Sequence, residues 1–144
     1  FNLLRDRISI PNITFLDLCA GTGAISYELL SRGATSGTCV DSSKPSQLYR
    51  AKMLEVLGIE TVRNIKLDIF KHMVREHEQY DFIFADPPFA MANLNQVPDE
   101  VFSSELLKPN GLFVLEHPEE YTFGQHPHFE MHKRYGRVNF TFFR

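Results

Sequence analysis

At 144 residues, 43% of them hydrophobic, the chain is long enough to bury a core as one globular domain, and no apolar run approaches the roughly 18 residues that a membrane-spanning helix needs. A net charge of −3 excludes a protein that is basic throughout, so any nucleic-acid contact has to come from a local cluster such as Lys133, Arg134 and Arg137, or from a basic segment outside these residues. Two cysteines, Cys19 and Cys39, sit in apolar strand-like segments without metal-type spacing and read as free buried thiols in a reducing cytoplasm. The chain opens on Phe1 rather than Met and shows no charged, apolar leader, the pattern of a piece of a longer protein.

Residues 15–20 are a short apolar run that stops at Gly21-Thr22-Gly23, after which Ala24, Ile25, Leu29 and Leu30 recur at helical spacing. That is a strand, a glycine turn and a helix. The unit then repeats. Residues 36–41 read as a strand ending in Asp41, and residues 44–57 as a helix capped by Ser43, with Pro45 in its first turn and Gly58 as its stop. Leu48, Ala51, Leu54 and Leu57 mark the apolar side of that helix. A third strand over residues 63–67 ends at Asp68, and residues 69–77 form a helix with Phe70, Met73 and Val74 inward. Residues 80–85, Tyr-Asp-Phe-Ile-Phe-Ala, are a buried strand that runs directly into Asp86-Pro87-Pro88-Phe89. Strands alternating with helices predict an α/β fold, a parallel sheet covered on both faces.

Residues 90–96 lack periodicity and read as a mobile loop able to close over a substrate. A helix over residues 98–107, a turn at Lys108-Pro109-Asn110-Gly111 and a buried strand over residues 112–116 follow. The tail changes character: residues 129–133 and 137–143 flank Tyr135-Gly136 as an antiparallel hairpin at the sheet edge.

Asp41, Asp68 and Asp86 each end a predicted strand, and in a doubly wound sheet those ends share one crevice. Gly21 and Gly23 let the backbone approach a ligand there. Asp41, 18 residues after Gly23, stands where an acid can bind ribose hydroxyls, and Asp68 with Ile69 beside it can meet an adenine. The set describes a nucleoside cofactor. Ser26 takes the place of the third glycine of the dinucleotide fingerprint, which favours a nucleoside without a pyrophosphate over NAD.

Asp86-Pro87-Pro88-Phe89 adds a specific chemistry. A nucleobase amine is a poor nucleophile, so methylating it needs acceptors that hold its hydrogens and disperse the developing positive charge. Asp86 and the Pro87 carbonyl are such acceptors, two prolines remove competing N–H donors, and Phe89 offers a flat face for an unstacked base. A tight turn ending a strand is the bland reading of the same four residues.

Residues 15–25, Ser31-Arg32-Gly33-Ala34, Asp41, Asp68 and Asp86 to Phe89 resemble the motifs of S-adenosylmethionine-dependent amino-methyltransferases. Motif order, length and the Tyr135-Gly136 hairpin are most similar to the RsmD family, which methylates guanine N2 in small-subunit ribosomal RNA, and Phe1-Asn2 resembles part of that family's N-terminal helix. The resemblance implies a Rossmann-like methyltransferase fold, a mostly parallel seven-stranded sheet with a C-terminal antiparallel hairpin. It places the methionine end of the cofactor near Asp17 and Gly21 to Gly23, ribose on Asp41, adenine near Asp68 and Ile69, and the target base at Asp86, Pro87, Pro88 and Phe89. Implied partners are ribosomal RNA or the assembling small subunit. The family usually carries glutamate at the position of Asp41 and often asparagine at that of Met53, and its basic N-terminal segment lies outside these residues.

Related tetrapeptides also serve adenine-N6 DNA methyltransferases and protein-glutamine methyltransferases, and a catalytically silent cofactor-binding module would carry the same turn. His117, His126, His128 and His132 invite a metal reading, but residues four apart on a strand lie far from one another, and no metal is expected. Glu116 and His117 end the fifth predicted strand near the crevice, within reach of a target base or as surface caps. Phe140, Phe142 and Phe143 read as core and sheet-face residues.

Overall fold

The computed structural model describes Phe1 and residues 3–144; the likeness read at Phe1-Asn2 falls, at Asn2, outside the described residues. Seven strands form one sheet in the order β3-β2-β1-β4-β5-β7-β6. They are β1 (Thr14–Leu18), β2 (Ser36–Asp41), β3 (Val62–Lys66), β4 (Tyr80–Ala85), β5 (Leu107–His117), β6 (Phe129–Tyr135) and β7 (Val138–Phe143). The helices are α1 (Ala24–Ser31), α2 (Lys44–Val56), α3 (Ile69–Arg75) and α4 (Val97–Ser103). The first five strands are parallel to their neighbours, β7 is antiparallel to β5, and β6 forms the outer arm of the hairpin. The strand order reverses direction between β1 and β4, and in such sheets ligands bind outside the carboxyl ends at that point.

Alternation along the central strands makes two cores. Leu16, Leu18, Ile83, Phe113 and Phe143 face α3 and α4, while Phe15, Phe82, Phe84, Val114 and Phe142 face α1 and the N-terminal turns around Leu4. Phe142 and Phe143 are buried, one in each core, and Phe140 packs partly buried against the core that holds Phe142, as expected.

Several sequence expectations are corrected. The first strand stops at Leu18, because Cys19 turns to φ 59° to start the glycine turn, so Cys19 lies outside the strand while Cys39 is within β2. On α2 the expected apolar side is largely outward: Leu48 is 59% exposed, Leu57 is exposed, and the buried residues are Arg50 and Leu54. The polar Arg50 takes the inward stripe because its guanidinium has three acceptors there. Val74 is likewise exposed; Ile69, His72 and Met73 are the buried residues of α3, which ends at Arg75, and Phe70 packs partly against the core as expected.

Residues 90–96 are less free than their polarity implies. Leu94 is fully buried and starts a 3₁₀ turn, Leu94–Gln96, that leads into α4. Lys108 to Gly111 is not a turn between elements but part of β5; Asn110 at φ 67° and a register shift opposite Tyr80 to Phe82 absorb the irregularity as a bulge. The preceding helix is correspondingly short, ending at Ser103.

Candidate active site

The glycine turn after β1 is held from both sides. Gly21 N–H donates to Asp41 Oδ2 at 2.9 Å, and the other oxygen of Asp41 accepts from Ser43 N–H at 2.8 Å. Arg50 Nη1 donates to the Gly21 carbonyl at 2.8 Å, while its Nε donates to Asn64 Oδ1. Gly23, at φ 86°, caps α1, and a Cβ there would lie 2.7 Å from the Tyr27 hydroxyl, so a side chain is excluded. Around Gly21 there is open space instead.

Asp17, on β1, is 3% exposed. Ser26 Oγ donates to its Oδ2 at 2.8 Å and stands 3.0 Å from Cys39 Sγ. Burial pushes the Asp17 carboxyl up to about 7, against the opposing pull of the Ser26 hydrogen bond and the Arg50 charge. Ser26 therefore has a reason to replace glycine: it satisfies a buried carboxyl.

Three acids stand in a row on the α1 side of the sheet, at the ends of adjacent strands. Asp17 shares the parity of Phe15 on β1, Asp86 continues that of Phe82 and Phe84 on β4, and Glu116 that of Leu112 and Val114 on β5. Ala85 lies opposite Leu115, so Asp86 and Glu116 come side by side one step further along. The two carboxyl groups act on each other, which raises Glu116 and pulls Asp86 down. Burial, reinforced by the Asp86 charge, lifts Glu116 to about 7; burial also raises Asp86. Asp86 N–H donates to the Leu18 carbonyl, which fixes the start of the tetrapeptide against β1. Pro87 is buried, and Phe89, 46% exposed, presents its ring to solvent.

Asp17, Cys19, Gly21, Thr22, Phe84 and Asp86 line a crevice of about 220 Å³. The structure thus brings Asp17, Gly21, Gly23, Asp41 and Asp86 to Phe89 to one end of the sheet. Asp68 stands at the next strand end, where its Oδ2 accepts from Phe70 and Lys71 N–H as the cap of α3. Ile69 is 2% exposed and belongs to the core, so a ligand can meet its backbone but not its side chain. Sequence reasoning missed Arg50 altogether, and it left Glu116 without a partner. The parallel register of β4 and β5 is the signal that pairs Glu116 with Asp86.

The histidines are accounted for otherwise. His117 donates from Nδ1 to the Pro118 carbonyl at 2.9 Å and accepts the Thr141 hydroxyl at Nε2 at 2.7 Å, a neutral ring on the opposite face from Glu116. His128 stacks on Phe102 with centroids 3.9 Å apart. Among the described residues no group of three or more His, Cys, Asp or Glu is arranged to hold a metal, and no helix is long and apolar enough to cross a membrane. Lys133, Arg134 and Arg137 decorate the exposed β6–β7 hairpin, whose tip hangs at the crevice end because β7 runs antiparallel to β5.

Strand order and crevice define the Rossmann-like fold of the S-adenosylmethionine-dependent methyltransferases. A Thermus thermophilus 16S rRNA N2 methyltransferase solved in complex with AdoMet and guanosine shares it, with a TM-score of 0.78 and 21% identity over 99% of this chain and 41% of that one. A conserved hypothetical protein of Streptococcus pyogenes superposes with a TM-score of 0.87 at 20% identity, over 99% of this chain and 91% of that one. The chain belongs to the family described as conserved hypothetical protein 95, which matches residues 1–144. Ribosomal RNA small subunit methyltransferase D of Buchnera aphidicola is 34% identical over 101 residues, covering 70% of this chain and 52% of that protein. The chain spans about half the length of the curated relatives it matches.

Proposed function

We propose that this chain is the catalytic part of an S-adenosylmethionine-dependent methyltransferase acting on an exocyclic amino group, guanine N2 of small-subunit ribosomal RNA, in naked RNA or in the assembling subunit. One observation carries the reading: Asp86-Pro87-Pro88-Phe89 stands at the carboxyl end of β4, beside the glycine turn and the crevice that it helps to line. The likeness to the Buchnera ribosomal RNA small subunit methyltransferase D supports the RNA substrate.

The residues fit the cofactor. Open space beside Gly21 and the acids at the strand ends suit a nucleoside with a charged amino-acid tail. Asp17 and Gly21 to Gly23 would hold the methionine end, Asp41 the ribose, and Asp68 with the Ile69 backbone the adenine. Bound there, S-adenosylmethionine supplies a methyl group on a sulfonium sulfur. The protein's share is orientation: Asp86 and the Pro87 carbonyl accept the two hydrogens of the target amine, directing the nitrogen lone pair at the crevice. Phe89 stacks on the flipped base. After transfer the nitrogen gives up one proton to Asp86 or to water. The basic hairpin supplies phosphate contacts at the same end of the sheet. A cytoplasmic setting goes with this substrate.

The test offers methyl-labelled S-adenosylmethionine to the full-length protein with small-subunit ribosomal RNA, partly assembled small subunits and DNA, with Asp86→Ala as control. Label on guanine N2 that disappears in the variant is the expected result. Label on DNA adenine alone, or none despite cofactor binding, would overturn it.

A further inference from the structure

Resting on the amino-methylation reading above, we propose that Glu116 is the residue that selects the base: its carboxylate accepts the ring N–H beside the target amine while Asp86 holds the amine itself. The register is what points to it. Ala85 opposite Leu115 sets the two carboxyls side by side at the ends of parallel strands, both on the α1 face, where each shifts the other's protonation. Glu116 is half-buried there, flanked by apolar Phe84, Val114 and Phe140, and no side chain among the described residues donates a hydrogen bond to it; toward Asp86 it is the partner that holds the proton.

Two adjacent acceptors match one nucleobase edge. Guanine presents N2–H₂ next to N1–H, donors in a row. Adenine presents N6–H₂ next to a bare N1, a donor next to an acceptor. An ionised Glu116 beside Asp86 therefore fits guanine and faces adenine with lone pair against lone pair; a protonated Glu116 can donate and fits the reverse. Selectivity is thus tied to one proton. Burial and the Asp86 charge bring Glu116 to about 7, so both forms exist near neutrality, and a guanine N1–H bond draws it toward the carboxylate.

The charged groups around the pair set the direction. Asp86 faces Glu116 from the loop after β4, and Asp17 lies behind Asp86 on β1, with Cys19 beside them; β7 presents only Phe140 directly, with Lys133 one strand further in the same row. Burial and the Asp86 charge oppose ionisation of Glu116, and a base offering N–H donors relieves that opposition.

The experiment compares full-length protein on RNA whose target guanosine is intact or replaced by 2-aminopurine, which keeps the C2 amine but carries a bare N1. Single-turnover methyl transfer is measured from pH 6 to 8.5 for the natural protein, Glu116→Gln and Glu116→Ala. Guanosine should be preferred by about 100-fold at pH 8, the penalty of an unmet buried hydrogen bond. That preference should shrink as pH falls through about 7, as guanosine slows and 2-aminopurine gains. Glu116→Gln, whose amide both accepts and donates, should lose the pH-dependent crossover, and Glu116→Ala should lose the preference while still binding S-adenosylmethionine. Equal rates on the two RNAs in the natural protein, or a preference unchanged in both variants, would overturn the assignment. Transfer to neither RNA by the natural protein would instead sink the amino-methylation reading, and this one with it.

Discussion

Arg50, fully buried on α2, donates from Nη1 to the carbonyl oxygen of Gly21, 2.8 Å away. A charged side chain in that position is tolerated because its Nε also finds Asn64 Oδ1 and its Nη2 the Ile65 carbonyl, and because Asp17 lies within its field. It ties the glycine turn to α2 and β3. Arg50→Ala should leave buried acceptors unmet and cost about 3 kcal/mol in urea unfolding. Arg50→Met keeps the volume and should recover part of that stability. Its turn would still be loose, so S-adenosylmethionine affinity, measured by calorimetry, should stay down by about tenfold, one lost charged hydrogen bond. Full recovery of affinity in Arg50→Met would show that the turn does not depend on the guanidinium.

Asp17 gives the unliganded protein a pH signature. Its carboxyl rises from 3.8 to about 7 on folding, so the folded form holds a proton that the unfolded chain releases. Stability must then fall as pH rises from about 4 through about 7, and flatten above. Glu116, lifted to about 7, contributes in the same direction. Asp17→Asn keeps an acceptor for Ser26 and removes the charge. At pH 8 it should be more stable than the natural protein by about 3 kcal/mol, with a smaller gap at pH 5. Equal stability of the two proteins at pH 8 would mean that water reaches Asp17.

Much of this arrangement was readable in the sequence. The parallel α/β order, the glycine turn, the strand-end acids and the hairpin all rest on local patterns: apolar runs of strand length, helical spacing, and turn residues between them. What was not readable depends on contacts between distant segments. The inward face of α2 is set by acceptors on β3 and the glycine turn, which no spacing within α2 announces, so the apolar spacing points to Leu48 and passes over Arg50. Glu116 pairs with Asp86 through strand register, a property of two chain segments 30 residues apart. Ile69 and Leu94 show the other limit: an apolar residue beside a polar loop is drawn into the core by its neighbours rather than left to the ligand or to solvent.

Away from the crevice, Glu76 fixes the opposite end of the sheet. Its Oε2 accepts from Arg63 Nη2 at 2.7 Å, His72 Nε2 at 2.7 Å and the Tyr80 hydroxyl at 2.8 Å, and Tyr80 in turn reaches Thr38 on β2. Although burial opposes ionisation, hydrogen bonds from Tyr80, the Glu78 backbone and His72, with the Arg63 charge, hold the carboxyl down at about 2. An acid lowered on folding stabilises above its unfolded value of 4.5, and that contribution drains away as pH falls through about 2. Glu76→Gln should cost about 3 kcal/mol at pH 7, as for a buried ionic network that loses one partner, and much less at pH 3. Cofactor binding should be unaffected in the folded fraction. A loss of equal size at both pH values would mean that shape, not charge, is what Glu76 provides.

Phe89 separates function from folding. A phenylalanine 46% exposed at the end of a proline-fixed loop contributes little to the core, so Phe89→Ala should change stability by no more than about 0.5 kcal/mol. If the ring is the stacking platform for a flipped base, its loss removes about 1 to 3 kcal/mol of base binding, which lowers kcat/KM on ribosomal substrate by about 10- to 100-fold. Phe89→Tyr and Phe89→Trp retain a flat face and should restore most of the rate, whereas Phe89→Leu, of similar apolar character but without a ring, should not. S-adenosylmethionine affinity should be the same for all four variants, because the glycine turn and Asp17 that define the crevice remain intact. Rescue by leucine would assign Phe89 to loop packing, and the aromatic face would have to be sought elsewhere on the crevice rim.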